Sequence, residues 1–301
     1  MAAVSNKRIL FKILSLFSVV RGYNILIVVI AQYLASLFIL APQHAVSVVL
    51  FDPHLFFLVL ATASVIASGY IINNFYDSEK DLINRPQKTL LDRYLSQQTK
   101  LFLYFFLNFA SVVFASYISF RAVLFVSAYI FLIWFYSHRL KRILFLGNLV
   151  ASILTILPFF AVFLYYKNFE SVIFVHAAFL YIIIVIRELV KDLENMKGDM
   201  LQGYKTIPVV FGEKSSKAII SILIVLTLIP VYFLIWKFDI GFMDYYFYLA
   251  VSLLFVLFLF LYFSKTKPHY LVLHNILKFI IVAGVFSILL IDTDLLLARI
   301  L

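Results

Sequence analysis

Nine apolar runs, each about as long as a bilayer is thick, limit what this chain can become. A helix rising 1.5 Å per residue crosses the ~30 Å hydrocarbon layer in about 20 residues. The runs fall at 22–41, 54–76, 101–120, 122–138, 143–166, 171–187, 218–236, 243–264 and 275–292. Two of them, 122–138 and 171–187, are short for a span. The last is interrupted by Lys278, close enough to its start to snorkel. At 64% hydrophobic and 13% charged residues, the chain has more apolar surface than a soluble packing can bury. Disorder, a small secreted module and a cytosolic nucleic-acid binder are excluded. The expectation is an all-α integral membrane protein, one membrane-embedded domain over 1–301, with membrane lipids as its surroundings and no nucleic-acid partner. The chain has no cysteine, which removes disulfides, thiolate nucleophiles and Cys-zinc sites.

Positive charge tests the span count. With the N-terminus inside, the inner segments hold 20 of the 25 Lys and Arg residues. The outer segments hold only Arg121, Lys167, Lys237 and Arg299. Merging 101–138 into one helix would invert every later loop and destroy this bias, so the distribution predicts nine helices with a cytoplasmic N-terminus. The basic, apolar segment before residue 22 lacks a clean small-residue cleavage site and runs on past Arg21, so it reads as a retained lead-in helix.

Acidic residues follow another rule. Nine of the fifteen lie in two inner segments: Asp77, Glu79, Asp81 and Asp92, then Glu188, Asp192, Glu194, Asp199 and Glu213. Carboxylates contribute little to orientation, so the clustering has a different cause. Asn73, Asp77 and Asp81 are four apart and share a face if the second helix continues through them. Glu188, Asp192, Asn195 and Asp199 are spaced four, three and four. The clusters close the second and sixth spans, four helices apart. That spacing suggests an internal repeat, with halves at about 15–140 and 141–264 and a final helix at about 275–292. Facing helices would bring both acidic faces to one cavity. Gathered carboxylates repel unless neutralised. Mg2+ suits them, because it takes oxygen ligands and bridges a few carboxylates to substrate phosphates. No His or Cys adjoins either cluster, which argues against zinc or copper. Interleaved Lys80, Arg85, Lys191 and Lys197 suit a diphosphate.

At these residues the chain resembles the UbiA superfamily of intramembrane prenyltransferases. That family has two aspartate-rich motifs after the second and sixth of nine helices around a central cavity. Its first motif, N-D-x-x-D-x-x-x-D, is matched by Asn73, Asp77 and Asp81, with Asn74 replacing the usual Asp. Its second, D-x-x-D-x-x-G-D followed by G-x-x-T-x-P, is matched by Asp192, Gly198, Asp199, Gly203, Thr206 and Pro208, with Asn195 replacing the middle Asp. The stretch YSHRLKR with GN (Tyr136, Lys141, Arg142, Gly147, Asn148) and Arg21 with Asn24 match further positions, and the resemblance runs from about 15 to 290 in order. The two Asn residues remove two charges yet still offer oxygens. DLINRP and RELVKDLEN resemble the geranylgeranylglyceryl-phosphate geranylgeranyltransferase branch. The longer Arg-Thr-x-x-Arg-Pro stretch of the 4-hydroxybenzoate branch is absent.

The resemblance implies Mg2+-dependent transfer of a prenyl group from an allylic diphosphate donor to a hydrophobic acceptor, at the cytoplasmic face of the cell membrane. Geranylgeranylglyceryl phosphate is the expected acceptor, with 4-hydroxybenzoate or dihydroxynaphthoate as alternatives. It assigns Asp77, Asp81, Asp192 and Asp199 to catalysis, and Asn73, Asp77, Asp81, Asp192, Asn195 and Asp199 to metal. It assigns Arg21, Asn24, Asn73, Tyr136, Lys141, Arg142 and Lys191 to substrate. Tyr136, Tyr70 and Phe75 are candidates to face the allylic cation, although 53 Phe and Tyr residues make a structural role the better expectation for any one. His138 reads as an interface anchor, His176 as a structural hydrogen-bonder, Asn108 and Asn148 as interhelical hydrogen-bonders, and Gly203 and Pro208 as turn residues. Asp244, Asp292 and Asp294 are expected to face water. A cation-coupled transporter is the reading from another class, but transporter acids tend to sit at the bilayer midplane, and here the middles of the spans are free of them. A CDP-alcohol phosphotransferase lacks support without D-G-x-x-A-R. No P-loop, G-x-G-x-x-G or G-x-S-x-G pattern occurs.

Overall fold

The computed structural model describes residues 2–292, and among them there is no strand. Asp294 and Arg299, and the side chains of Lys7 and Arg8, lie outside the described residues. Among those described, nine helices are long and apolar enough to cross a membrane. The chain is a multi-pass integral membrane protein. The lead-in helix α1 (Ala2–Val20) ends where Arg21 takes a left-handed conformation (φ 51°), and α2 (Gly22–Ala35) starts the first span. A short α3 (Val46–Leu50) precedes α4 (Pro53–Tyr76), whose start combines Asp52 accepting from the His54 N–H at 2.9 Å with Pro53 in the first turn. Two short helices follow, α5 (Ser78–Asn84) and α6 (Pro86–Asp92), where a loop was expected.

The spans α7 (Gln97–Ser116) and α8 (Phe120–His138) differ from the expected 101–120 and 122–138. The reason lies in their caps. Ser96 accepts from the Thr99 N–H and Ser119 from the Ala122 N–H, so the turn falls at 117–119 and the polar first turn of α7 is helical. α9 (Leu146–Tyr166) leads to α10 (Ser171–Leu201), whose 31 residues extend well past the expected 171–187. At 1.5 Å per residue α10 is about 46 Å long, so its acidic end projects beyond a ~30 Å apolar layer. α11 (Ile207–Lys237) is broken at Gly212 (φ 81°), and Pro208 opens this helix rather than sitting in the turn. α12 (Asp244–Phe263) and α13 (Lys267–Ser287) complete the bundle. Lys278 therefore lies eleven residues into α13, not near the start of a span.

Several polar groups inside the bundle satisfy one another. Pro158 within α9 has no N–H to donate to Leu154 O, and the Tyr129 hydroxyl donates there instead at 3.0 Å. Gln32 donates to Pro158 O at 2.9 Å, and Thr62 donates to Gln32 at 3.1 Å. Asn108 accepts from Ser68 at 2.6 Å, joining α7 to α4. His176 contacts Val172 O at 2.9 Å, and exposed His138 stacks on Trp134. Asp244 is half-buried with a shielded, unpartnered Oδ1 instead of facing water, because it begins α12 against the bundle.

Candidate active site

One cavity of about 210 Å3 reaches from the polar ends of α4, α8 and α10 into the apolar interior. Its deep walls include Val28, Ile66, Ile133 and Leu154. At its polar end α4 bends into α5 at Asp77 without losing helical hydrogen bonding: the Asp77 N–H donates to Asn73 O at 2.9 Å and the Asp81 N–H to Asp77 O at 2.8 Å. The four-residue spacing survives the bend, so Asn73, Asp77 and Asp81 line the same cavity. Glu188, Lys191, Asp192 and Asn195 on α10 also line it, as do Arg21, Tyr70, Tyr136 and Lys141.

Asp77 is the most heavily coordinated of these groups. Lys141 Nζ donates to its Oδ1 at 2.6 Å and to Asn73 Oδ1 at 3.2 Å, and the Tyr204 hydroxyl donates to the same Asp77 oxygen at 2.9 Å. Burial alone would raise the Asp77 pKa. The charges of Lys80 and Lys141 and the two donors outweigh it and bring the group down to about 2. Burial works against the charge on Lys80 too, but Asp77 and Asp199 hold its pKa above the ordinary value. Burial and the Asp77 charge push the Tyr204 phenol up, so it stays a donor. Burial opposes the Arg21 charge, and Tyr70 and Asp81 overcome that; the guanidinium lies 4.9 Å above the Tyr70 ring. The left-handed backbone at Arg21 aims it there.

Asp199 is 1% exposed and sits behind the lining, 3.1 Å from Lys80 Nζ, with no well-aligned donor on its Oδ1. Asp192 accepts from Asn148 Nδ2 at 2.7 Å. Lys191 and Arg187 both hold Glu188, at 2.7 and 3.0 Å. Asn195 donates to Lys191 O, and its Oδ1 is buried without a partner.

Besides Asp199, three expected residues are not in the lining. Arg142 is exposed and lies over the Tyr204 ring at 5.2 Å, because the tight Leu140–Arg142 turn sends it away from the direction of Lys141. Asn24 stands beside the cavity and donates to the Tyr70 hydroxyl at 3.2 Å. Phe75 packs edge-on against Tyr76. Asn74, one helical step from Asn73, turns the other way: it accepts from Lys100 and donates to Asp92, both at 2.9 Å, and Asp92 also accepts from Lys88 and Ser18. The missing charge at 74 is thus missing from this network, not from the cavity. Tyr204 was not singled out from sequence. It stands between Gly203 and Thr206 of the second motif, and its residue type is too common here to signal a role.

No three Asp, Glu or His side chains converge tightly enough to cage a metal among the described residues. The cavity does present a pure oxygen set in Asp77, Asp81 and Asp192, with Asn195 beside them and its Oδ1 shielded and without a donor. That set fits Mg2+, which needs few carboxylates when phosphate and water supply its other ligands.

The model of the UbiA prenyltransferase family matches residues 25–290. A digeranylgeranylglyceryl phosphate synthase of Thermococcus sibiricus is 37% identical over 162 residues, covering 54% of this chain and 57% of that protein. The corresponding protein of Methanobrevibacter smithii is 28% identical over 256 residues, covering 80% and 84%. Among solved structures, a digeranylgeranylglyceryl phosphate synthase has a TM-score of 0.67 at 20% identity, over 96% of this chain and 99% of that one. A UbiA homolog from Archaeoglobus fulgidus bound to GPP and Mg2+ has a TM-score of 0.66 at 14% identity, over 91% and 99%. At such identities these structures speak for the fold alone. With nine helices long and apolar enough to cross a membrane among the described residues, a cavity lined from both acidic motifs, and a family match over nearly its whole length, the chain belongs to the UbiA prenyltransferase family.

Proposed function

We propose that this protein transfers a prenyl group from an allylic, geranylgeranyl-type diphosphate to a lipid-soluble acceptor with Mg2+, and that the acceptor is geranylgeranylglyceryl phosphate. The observation that carries this reading is the shared cavity: carboxylates of two motifs and six cations at one end, an apolar channel at the other. A diphosphate needs the first and an isoprenoid tail the second. Bound Mg2+, held by Asp77, Asp81 and Asp192, would neutralise diphosphate charge. Lys141, Lys80 and Arg21 line the same cavity and would stabilise the negative charge that grows as the allylic C–O bond breaks. Asp77 fixes the Lys141 ammonium and Tyr204 fixes Asp77, so these donors need no reorganisation during reaction. The diphosphate leaves with the bonding electron pair. The acceptor's hydroxyl oxygen forms the new bond to carbon, and its proton passes to the departing diphosphate. Tyr70 and Tyr136 supply ring faces that favour a cationic carbon and exclude water. The charge bias of the loops supports an inward N-terminus and a cytoplasmic active site.

The test is transfer by purified protein in lipid with Mg2+ and geranylgeranyl diphosphate, offered geranylgeranylglyceryl phosphate, 4-hydroxybenzoate or dihydroxynaphthoate. One prenylated product, abolished by EDTA and in Asp77→Ala and Asp192→Ala, is expected with the first acceptor. Product with an aromatic acceptor instead would overturn the acceptor. No diphosphate release from folded protein with donors of any length would overturn the enzyme reading and favour a transporter.

A further inference from the structure

A second pocket, of about 300 Å3, lies next to the first. Six cations from four segments line it: Arg21 before α2, Arg85 and Lys88 around the start of α6, Arg187 and Lys191 on α10, and Lys278 on α13. His274 joins them, and no Asp or Glu is in the lining. The acids that balance this group stand behind it: Asp92 at 2.7 Å from Lys88, Glu194 at 3.2 Å from Arg85, and Glu188 between Arg187 and Lys191. These three acids pair with four of the six cations, and Asp81 acts on Arg21 from beyond ion-pair distance. Among the described residues Lys278 and Arg21 have no carboxylate within ion-pair distance, and Arg187 Nε is buried without a hydrogen-bond partner. A lysine about 16 Å along a membrane helix is costly unless it meets a partner. Lys278 lines this pocket.

The surroundings narrow the ligand further. Arg21, Arg85, Arg187 and Lys191 also line the first cavity, so one layer of side chains divides the two sites. On the other side Phe17 and Tyr23 line the pocket while remaining 56% and 52% exposed on the apolar outer surface. A ligand with a strongly anionic head and an apolar chain matches both edges. A neutral or singly charged aromatic matches neither as well. Arginine forks and lysines together suit a phosphomonoester, which carries close to two charges and three free oxygens.

We propose that this pocket binds the phosphomonoester head of a lipid, and that this lipid is the acceptor of prenyl transfer, held with its phosphate apart from the donor diphosphate. The second half rests on the transfer reading above; the anion site itself does not.

The test uses the full chain in detergent micelles, with binding of phosphatidic acid, a monoester, measured against phosphatidylmethanol, a diester. Lys278→Met suits a membrane helix and removes the charge, Lys278→Arg restores it, and exposed Lys214→Met controls for net charge. Expected are preference for the monoester, at least tenfold weaker binding in Lys278→Met, and near-native binding in Lys278→Arg and Lys214→Met. Equal binding by Lys278→Met and the native protein, or no monoester preference, overturns the site. Steady-state transfer separates the sources. If the phosphate belongs to the acceptor, Lys278→Met raises the acceptor KM about tenfold and leaves the donor KM within twofold. Lost phosphatidic acid binding with an unchanged acceptor KM means a bulk lipid occupies the pocket and overturns the acceptor assignment. Lost binding in a protein that transfers nothing overturns the transfer reading and leaves the site standing.

Discussion

A single oxygen, Asp77 Oδ1, receives both Lys141 and Tyr204. Taking away its charge leaves a buried ammonium without its carboxylate, so Asp77→Asn is expected to cost about 3 kcal/mol or more. The ionisation itself has a definite sign. Its folded pKa, about 2, is below the ordinary 3.8. The stabilisation is therefore present above 3.8 and disappears as pH falls through 2, amounting to about 2 kcal/mol at neutral pH. Thermal unfolding of native and Asp77→Asn protein should differ at pH 7 and converge between pH 4 and 2; a gap constant down to pH 2 contradicts the assignment. Tyr204→Phe removes one donor from the same atom and should lower transfer about tenfold. Because both changes act on one oxygen, the double variant should be no slower than Asp77→Asn alone, a coupling that a kinetic double-mutant cycle reads directly. These two residues were not equally legible. Asp77 stands out because a carboxylate is rare in this chain and recurs at helical spacing. Tyr204 is one of 19 tyrosines, and only the fold brings it across 127 residues to its partner.

Elements bring the two motifs together through a close approach of α5 to α10. A Cβ on Gly198 would meet Asn84 Nδ2 at 2.4 Å and its Cγ at 2.7 Å. Asn84 is buried and donates to Asn195 O at 3.4 Å, and Lys267 at the start of α13 donates to its carbonyl. Gly198→Val should therefore push α5 off α10 and separate Lys80 from Asp199, lowering transfer at least tenfold. Alanine carries the same Cβ, and its helix preference over glycine of about 1 kcal/mol offsets only part of that clash, so Gly198→Ala should lose activity with a smaller loss of stability than Gly198→Val. Unfolding and turnover measured together check this; unchanged turnover in both variants would show that the approach is not needed. Deeper in the bundle, Tyr129→Phe leaves Leu154 O without a donor and should destabilise by about 1 kcal/mol. Here the sequence carried the helices but not their ends. Apolar runs mark where a helix meets lipid, and α10 continues for about four turns beyond that point because its polar end packs against α5. Asn74 could not be read either, because which side of α4 faces the cavity depends on the packing of α7 and α6.

The whole molecule places every acidic motif residue at one end of the bundle, where α4 and α10 finish. That end is also where the loops are richest in Lys and Arg, and the two facts have separate causes. Cations there set orientation during insertion, whereas the acids serve the cavity. A chain that had inverted would keep the same cavity and present it to the other compartment, so orientation needs its own measurement. The absence of cysteine makes one clean, since each introduced thiol is the only one. Gln98 and Ser215 are exposed near the motif end, and at the opposite end Ser116 is exposed at the close of α7 and Glu170 just before α10. In intact cells a membrane-impermeant maleimide should label Ser116→Cys and Glu170→Cys, and should reach Gln98→Cys and Ser215→Cys only after permeabilisation. The reverse pattern would put the cavity on the outer face and would require the donor diphosphate to be supplied there. A mixed pattern within either pair would break the alternation of nine spans, and with it the reason both acidic motifs share one end.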